Sequence, residues 1–174
     1  MEKNQNLPSK TELQSKIIEK MYSGKVLNNS HRGDLVEAML LIALENDWNF
    51  VGLGWHPWDI EGIVDGKRIR IQVKQLAAQQ LWGKTKKCQV SFGWSKSKPY
   101  SFEEYNPGVE IENEGWFCDV FIIGLHLEDN LEVADQLDIN QWKFLVIPTC
   151  ELKLGTNSMI LDKALNYWTP VSFS

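Results

Sequence analysis

The chain is poor in the residues that cross-link a fold or hold a soft metal. Its 174 residues include three cysteines, Cys88, Cys118 and Cys150, and three histidines. The cysteines are far apart, odd in number and form no CxxC. That argues against a disulfide framework and against a thiolate zinc site, and each reads as a small buried hydrophobe. Three scattered histidines make a histidine zinc site a poor expectation. No apolar run has the length of a membrane span. The opening residues Met1-Glu2-Lys3-Asn4-Gln5-Asn6 lack an apolar leader core, so the expected location is the cytoplasm. There is no glycine-rich phosphate loop, internal repeat, low-complexity segment or convincing linker. A single domain over 1–174 is expected, with 1–29 as an N-terminal helical extension.

What is present is an ordinary folded composition, 43% hydrophobic and 24% charged. The net charge of −5 speaks against a polyanionic partner. Its distribution speaks the other way. Nine of the 18 basic residues lie between Lys67 and Lys98, with no Asp or Glu among them. From Pro99 to Trp142 there are eleven acids and no Lys or Arg. Local field governs encounter with nucleic acid more than net charge does. A charge run alone is also what a solvated face looks like.

Ser9 and Glu12 form a capping box ahead of a helix running to about Ser23. Ser30 can cap a second helix to about Asn46, whose Leu35–Leu44 stretch is apolar nearly all round apart from Glu37. A strand is expected near Asn49–Leu53, then a loop through His56-Pro57. A hairpin follows, with strands Trp58–Val64 and Lys67–Lys74 around Asp65-Gly66, a strong short-range hairpin signal. Gln75–Trp82, rich in Ala, Gln and Leu, reads as helical. Gly83–Gly115 reads as irregular with one strand at Gln89–Phe92, too long for an inert loop. Cys118–Leu127 and Trp142–Pro148 read as buried strands, and Ser158–Trp168 as a closing helix.

The two-residue turn sets the hairpin register. Val64 faces Lys67, Gly62 faces Ile69 and Ile60 faces Ile71. One face, Ile60, Val64, Ile69, Ile71 and Val73, belongs on the core. The other carries Asp59, Glu61, Ile63, Arg68, Arg70, Gln72 and Lys74. Glu61 faces Arg70, and Asp59 faces Gln72 with Lys74 next on the same face. Directly opposed Cβ atoms lie roughly 4.5–5.5 Å apart, so carboxylate, amide and ammonium converge. Such a trio suits phosphodiester hydrolysis. Mg²⁺ takes oxygen ligands and one or two carboxylates, and a lysine can orient water and stabilise developing negative charge. A polar hairpin face turned to solvent is the ordinary alternative.

At these residues the chain resembles the PD-(D/E)xK nuclease superfamily, the restriction-endonuclease-like fold. The pattern matched is a helix with a Glu (Glu37, after Arg32-Gly33-Asp34-Leu35-Val36), an Asp at a strand start (Pro57-Trp58-Asp59), and the Q-x-K variant Gln72-Val73-Lys74. Gln75–Gln79 suits the family's next helix. A bacterial branch also has a late strand ending in His and a segment like Gln141-Trp142-Lys143-Phe144. The match covers roughly residues 30–150. Two departures stand out: Gln72 occupies a position where an acid is usual, and Trp58 interrupts Pro-Asp.

The resemblance implies an α/β fold with a central mixed β-sheet flanked by helices, in helix–strand–strand–strand–helix–strand order. It implies a Mg²⁺- or Mn²⁺-dependent endonuclease acting on DNA, in some branches as a homodimer. Asp59 and the main-chain carbonyl of Val73 are the expected metal ligands. Gln72 and Glu37 complete or support the site, and Lys74 positions the attacking water. Arg68, Arg70, Lys84, Lys86, Lys87, Lys96 and Lys98 are the expected nucleic-acid contacts. Trp82, Trp94 and Tyr100, interleaved with those lysines, can stack on bases, although tryptophans more often pack in the core or its rim. His126 reads as a structural histidine, with a place near the site as the alternative. His31 and His56 read as surface or capping groups. Two competing functions remain: a nucleic-acid-binding module that kept the fold and lost the chemistry, and a protein-interaction subunit using the acidic 99–142 segment.

Overall fold

The computed structural model describes residues 8–44, 47–51, 57–86, 88–94 and 114–173. Helix α1 (Lys10–Tyr22) opens on the expected capping box: the Glu12 N–H donates to Ser9 Oγ at 3.2 Å, and the Ser9 N–H donates to Glu12 Oε2 at 2.7 Å. None of its residues is buried. Helix α2 (Asn29–Leu44) is capped by Asn28 rather than Ser30, with the His31 N–H donating to Asn28 Oδ1 at 2.9 Å.

Among the described residues the strands follow in chain order: β1 (Trp48–Phe50), β2 (Ile60–Val64), β3 (Lys67–Ala77), β4 (Gln79–Gln80), β5 (Gly83–Lys84), β6 (Gln89–Ser91), β7 (Val120–His126), β8 (Trp142–Pro148), β9 (Ser158–Ile160) and β10 (Val171–Ser172), with α3 (Leu161–Tyr167) between the last two. Six of them form one sheet in the order β1-β2-β3-β7-β8-β10. The β3–β7 pair is parallel and the other neighbours are antiparallel, so the sheet is mixed. The α/β class and central mixed sheet are as expected.

The sheet is covered on both faces. Val36, Met39 and Leu40 of α2 pack with Ile60, Ile71, Val73, Ile122, Trp142 and Phe144. On the other face Phe121, Ile123, Leu125, Leu145 and Ile147 pack with Val90, Phe92, Leu161 and Ala164. The central strand β7 thus alternates between two buried layers, which explains its continuous apolar run. Gly124 lets α2 approach closely: a Cβ there would lie 2.9 Å from Val36 Cγ1 and 3.2 Å from Trp142 Cζ3.

The hairpin register is the one read from Asp65-Gly66: Val64 pairs with Lys67, Gly62 with Ile69 and Ile60 with Ile71. Both turn residues have positive φ, 50° and 74°, as a two-residue hairpin turn of this hand requires. Ile60, Ile71 and Val73 are buried, whereas Val64, next to the turn, is exposed.

Two expected helices are corrected. Gln75–Trp82 is not helical: β3 runs on to Ala77, pairing with β7 as far as His126, and the β4–β5 hairpin follows. Parallel pairing overrides the helical preference of Ala, Gln and Leu. The helix after the third strand in the expected order is therefore not found there. At the other end, Ser158–Ile160 is a strand paired with β6, and only Leu161–Tyr167 is helical. No helix is long and apolar enough to cross a membrane among the described residues.

Candidate active site

The β2–β3 ladder slips where β2 begins. The Asp59 N–H donates to Ile71 O at 2.9 Å, although Ile71 is already the register partner of Ile60. Two residues of one strand thus answer to one of the other, as in a β-bulge. The Asp59 carboxylate then takes over the pairing. Its Oδ2 accepts the Val73 N–H at 2.7 Å and the Gln72 Nε2 amide. Asp59 and Gln72 do meet, through a side chain that substitutes for a missing strand bond.

Lys74 and Gln72 share the face of β3 turned away from α2 and line a cavity of about 70 Å³ with Pro57, Phe92, Cys118 and Phe121. Lys74 is half-buried, and among the described residues its ammonium makes no hydrogen bond or ion pair. Glu37 comes from α2 and is also half-buried. Burial pushes its carboxyl up to about 7, helped by the negative charges of Asp59 and Asp34 and opposed by Lys74. Asp59 is raised as well, by burial first, against the lowering effects of the Val73 N–H, Lys74 and the Gln72 amide. Two carboxyl groups thus resist ionisation, with Lys74 acting on both and the Asp59 charge acting on Glu37.

The donor set is hard and oxygen-rich. Among the described residues, no group of three or more His, Cys, Asp or Glu side chains is placed to hold a metal ion. Asp59, Glu37, an amide oxygen and a main-chain carbonyl nevertheless suit Mg²⁺, which needs only one or two carboxylates and keeps several waters. Ligation through Gln72 Oε1 requires the amide to turn, since its nitrogen faces Asp59.

The expected nucleic-acid contacts divide. Arg68 pairs with Glu61 at 2.5 Å, and Arg70 holds Asp119 through Nε at 3.0 Å and the second guanidinium nitrogen at 3.1 Å. Both guanidinium groups lie over the buried Trp58 ring, at 5.5 and 5.4 Å. Their charge serves the hairpin as well as its surroundings. Lys84 is exposed and pairs with Asp129 at 3.1 Å; Lys86 is exposed. Lys87, Lys96, Lys98, His56 and Tyr100 lie outside the described residues.

His126 is structural. It is fully buried in register with Ala77, beyond Lys74, bonded to Gln141 Oε1 at 3.0 Å and stacked edge-on against Trp142. His31 ties the two N-terminal helices together through Met21 O at 3.2 Å and the Tyr22 ring.

Three features escaped the sequence reading. Asp119 accepts the Arg70 main-chain N–H at 2.8 Å as well as its guanidinium; an acid at the mouth of a buried strand was the available signal. Asp34 acts on Glu37 from one turn earlier on α2, and that spacing was legible. Arg32 is 0% exposed and donates to Gln75 Oε1 at 2.6 Å, Gln80 Oε1 at 2.9 Å and Asn29 Oδ1 at 2.8 Å. It anchors α2, and so Glu37, to the strand segment next to Lys74; nothing local marked it.

No family model and no curated protein matches the chain. Among solved structures, a bacterial homing endonuclease is similar at 17% identity over 75% of each chain, with a TM-score of 0.36. A likeness at that score carries no argument about this chain.

Proposed function

We propose that the chain is a metal-dependent endonuclease that hydrolyses phosphodiester bonds in DNA, with a PD-(D/E)xK-type site. The observation that carries this reading is the pairing of two desolvated carboxyls, Asp59 and Glu37, with the Asp59 charge raising Glu37 and the half-buried Lys74 acting on both. Placing two such carboxyls together costs folding energy that a divalent cation offsets. Asp59, Glu37, Gln72 Oε1 and the Val73 carbonyl are the groups that hold Mg²⁺ or Mn²⁺. When bound, such an ion supplies Lewis acidity toward the phosphate and makes water a stronger acid. Lys74 orients the attacking water and neutralises charge gathering on the phosphate oxygens. Arg68, Arg70, Lys84 and Lys86, with Lys87, Lys96 and Lys98, make the basic flank for the DNA backbone.

The test is incubation of plasmid and linear DNA with the protein, with and without Mg²⁺ or Mn²⁺. Metal-dependent cleavage should fall by at least about a hundredfold in Asp59→Ala and Lys74→Ala. Cleavage by both variants at the wild-type rate rules the site out.

One observation favours a second reading. Gln72 already satisfies Asp59 as a neutral donor, an arrangement that needs no metal. A binding module built on this site retains nucleic acid in a salt-sensitive way without turnover. Calorimetry that detects no divalent binding would select it.

A further inference from the structure

The strand that carries Gln72 and Lys74 continues into a feature that the proposed site does not use. Past Ala77 the chain turns into the β4–β5 hairpin, whose Gln79 pairs with Lys84 and Gln80 with Gly83. Its tip is Leu81-Trp82. Trp82 is 75% exposed and Leu81 61%. Exposed single hydrophobics are ordinary, but a tryptophan and a leucine side by side at a hairpin tip keep a large apolar surface in water.

The stem below that tip is held firmly. The Thr85 N–H donates to Ala78 O at 2.7 Å and the Thr85 hydroxyl to Ala77 O at 2.8 Å. The Gln136 side chain, fully buried, donates to Gln79 O at 3.0 Å, and the buried Arg32 guanidinium donates to Gln80 Oε1 at 2.9 Å. The Ala78 N–H extends the β7 ladder by donating to His126 O at 2.8 Å. A tip on such a base loses little freedom when it is contacted.

The hairpin's own chain is cationic at Lys84 and Lys86, and Lys84 meets Asp129 of the acidic 128–138 segment. Lys86 is exposed and makes no ion pair among the described residues. Among the described residues Lys84 pairs only with Asp129, both side chains being more than 60% exposed (64% and 62%). Such a pair is held weakly and can be exchanged for a phosphate. Leu81 and Trp82 by themselves are far too little for a protein interface, which takes roughly 800 Å² per partner, and the exposed Leu127, Leu131, Val133 and Leu137 of the segment bonded to this hairpin are interspersed with acids. An indole with lysines two and four residues further along is instead a combination that stacks on a nucleobase while holding its phosphates. Reach also fits. Trp82 lies eight residues on from Lys74, at most about 29 Å of extended chain. One turn of duplex is about 34 Å, so one bound nucleic acid spans both points.

We infer that Trp82, at the tip of a hairpin continuous with the Lys74 strand, stacks on a base of the nucleic-acid substrate, with Lys84 and Lys86 on the adjoining phosphates. This rests on the nucleic-acid reading of the site, and binding measured without turnover separates the two. The full-length protein in EDTA is titrated into fluorescein-labelled single-stranded and duplex oligonucleotides and followed by anisotropy. Trp82→Ala should weaken binding at least about fivefold, with Trp82→Phe recovering most of the loss. Thermal melting should be unchanged, because the side chain is exposed. Oligonucleotides carrying 2-aminopurine at successive positions should show a quenched position with wild type that Trp82→Ala abolishes. Loss confined to single strands indicates stacking on an unpaired base; loss on duplex indicates insertion at a base step. Binding by Trp82→Ala within twofold of wild type overturns the inference and leaves the nuclease site standing. Wild type that binds neither oligonucleotide overturns both. Loss of cleavage in Asp59→Ala with Trp82-dependent binding intact shows the two contributions to be separate.

Discussion

Asp59 Oδ2 receives two donors from the strand facing it, the Gln72 amide and the Val73 N–H. Gln72 is therefore more than a weakened ligand. In the metal-free protein it joins the Val73 N–H and Lys74 in making a desolvated Asp59 tolerable. Replacing it by the usual acid removes a donor and adds a like charge. Gln72→Glu is expected to cost about 2–3 kcal/mol in EDTA. Mg²⁺ should then raise its urea midpoint more than it raises that of wild type. Equal metal-free midpoints for the two proteins would contradict this.

The Glu37 carboxyl gives a pH dependence with a definite sign. Its folded value is pushed up to about 7, by burial first and then by Asp59 and Asp34. The unfolded chain titrates near 4.3 by ordinary glutamate chemistry, a value of about that size. An acid raised by folding holds its proton more tightly in the native state. Its contribution is complete below about pH 4.3 and is lost as pH rises through about 7. Asp59, raised in the same direction, adds to the trend. Glu37→Gln removes the titration. In EDTA at pH 8 it should be more stable than wild type by about 1–2 kcal/mol, the half-exposed carboxyl being screened by solvent. At pH 4.5 the two should nearly coincide. Urea unfolding at both values checks it, and identical stability at pH 8 rules out a strained Glu37.

The parts of this site that sequence reading reaches are those governed by short-range rules. A two-residue Asp-Gly turn and a period of two dictate which hairpin residues oppose one another, and Ile60–Ile71 follows without tertiary information. What defeats the reading is long-range pairing. Gln75–Gln80 has the composition of a helix, and only β7 and a buried arginine on α2 make it strand and hairpin. Arg70 reads as the cross-strand partner of Glu61, and only the fold brings Asp119 to it as well. Trp82 looks like core until the hairpin puts it in solvent.

Arg32 tests how α2 is held. Its guanidinium is fully buried, and every acceptor it meets is neutral: Gln75, Gln80, Asn29 and the Leu27 carbonyl. Desolvation alone brings it down to about 10, so it stays charged at neutral pH. Arg32→Met preserves bulk but strands those acceptors, at an expected cost of about 2–4 kcal/mol. Because the contacts end on Gln75, next to Lys74, cleavage should fall in protein that remains folded. A variant with unaltered melting and unaltered cleavage would show that the network neither stabilises nor positions.

Gly124 asks the same question from the sheet side. It lies on β7 against α2, and an added Cβ would lie 2.9 Å from Val36 Cγ1. Val36 directly precedes Glu37, so a methyl group at Gly124 displaces the helix at the residue next to the carboxylate. Gly124→Ala should destabilise by about 1–3 kcal/mol and reduce metal-dependent cleavage by weakening the approach of Glu37 to Asp59. Val36→Ala alone opens a small cavity and costs about 1–2 kcal/mol. Combined, the two changes should cost less than their sum, because the alanine methyl at 124 occupies space vacated at 36. Cleavage should recover with packing if the spacing between α2 and the sheet sets the position of Glu37. Stability that recovers while cleavage does not would place the effect of Gly124 elsewhere, and strictly additive costs would show that Val36 is not what the new methyl meets.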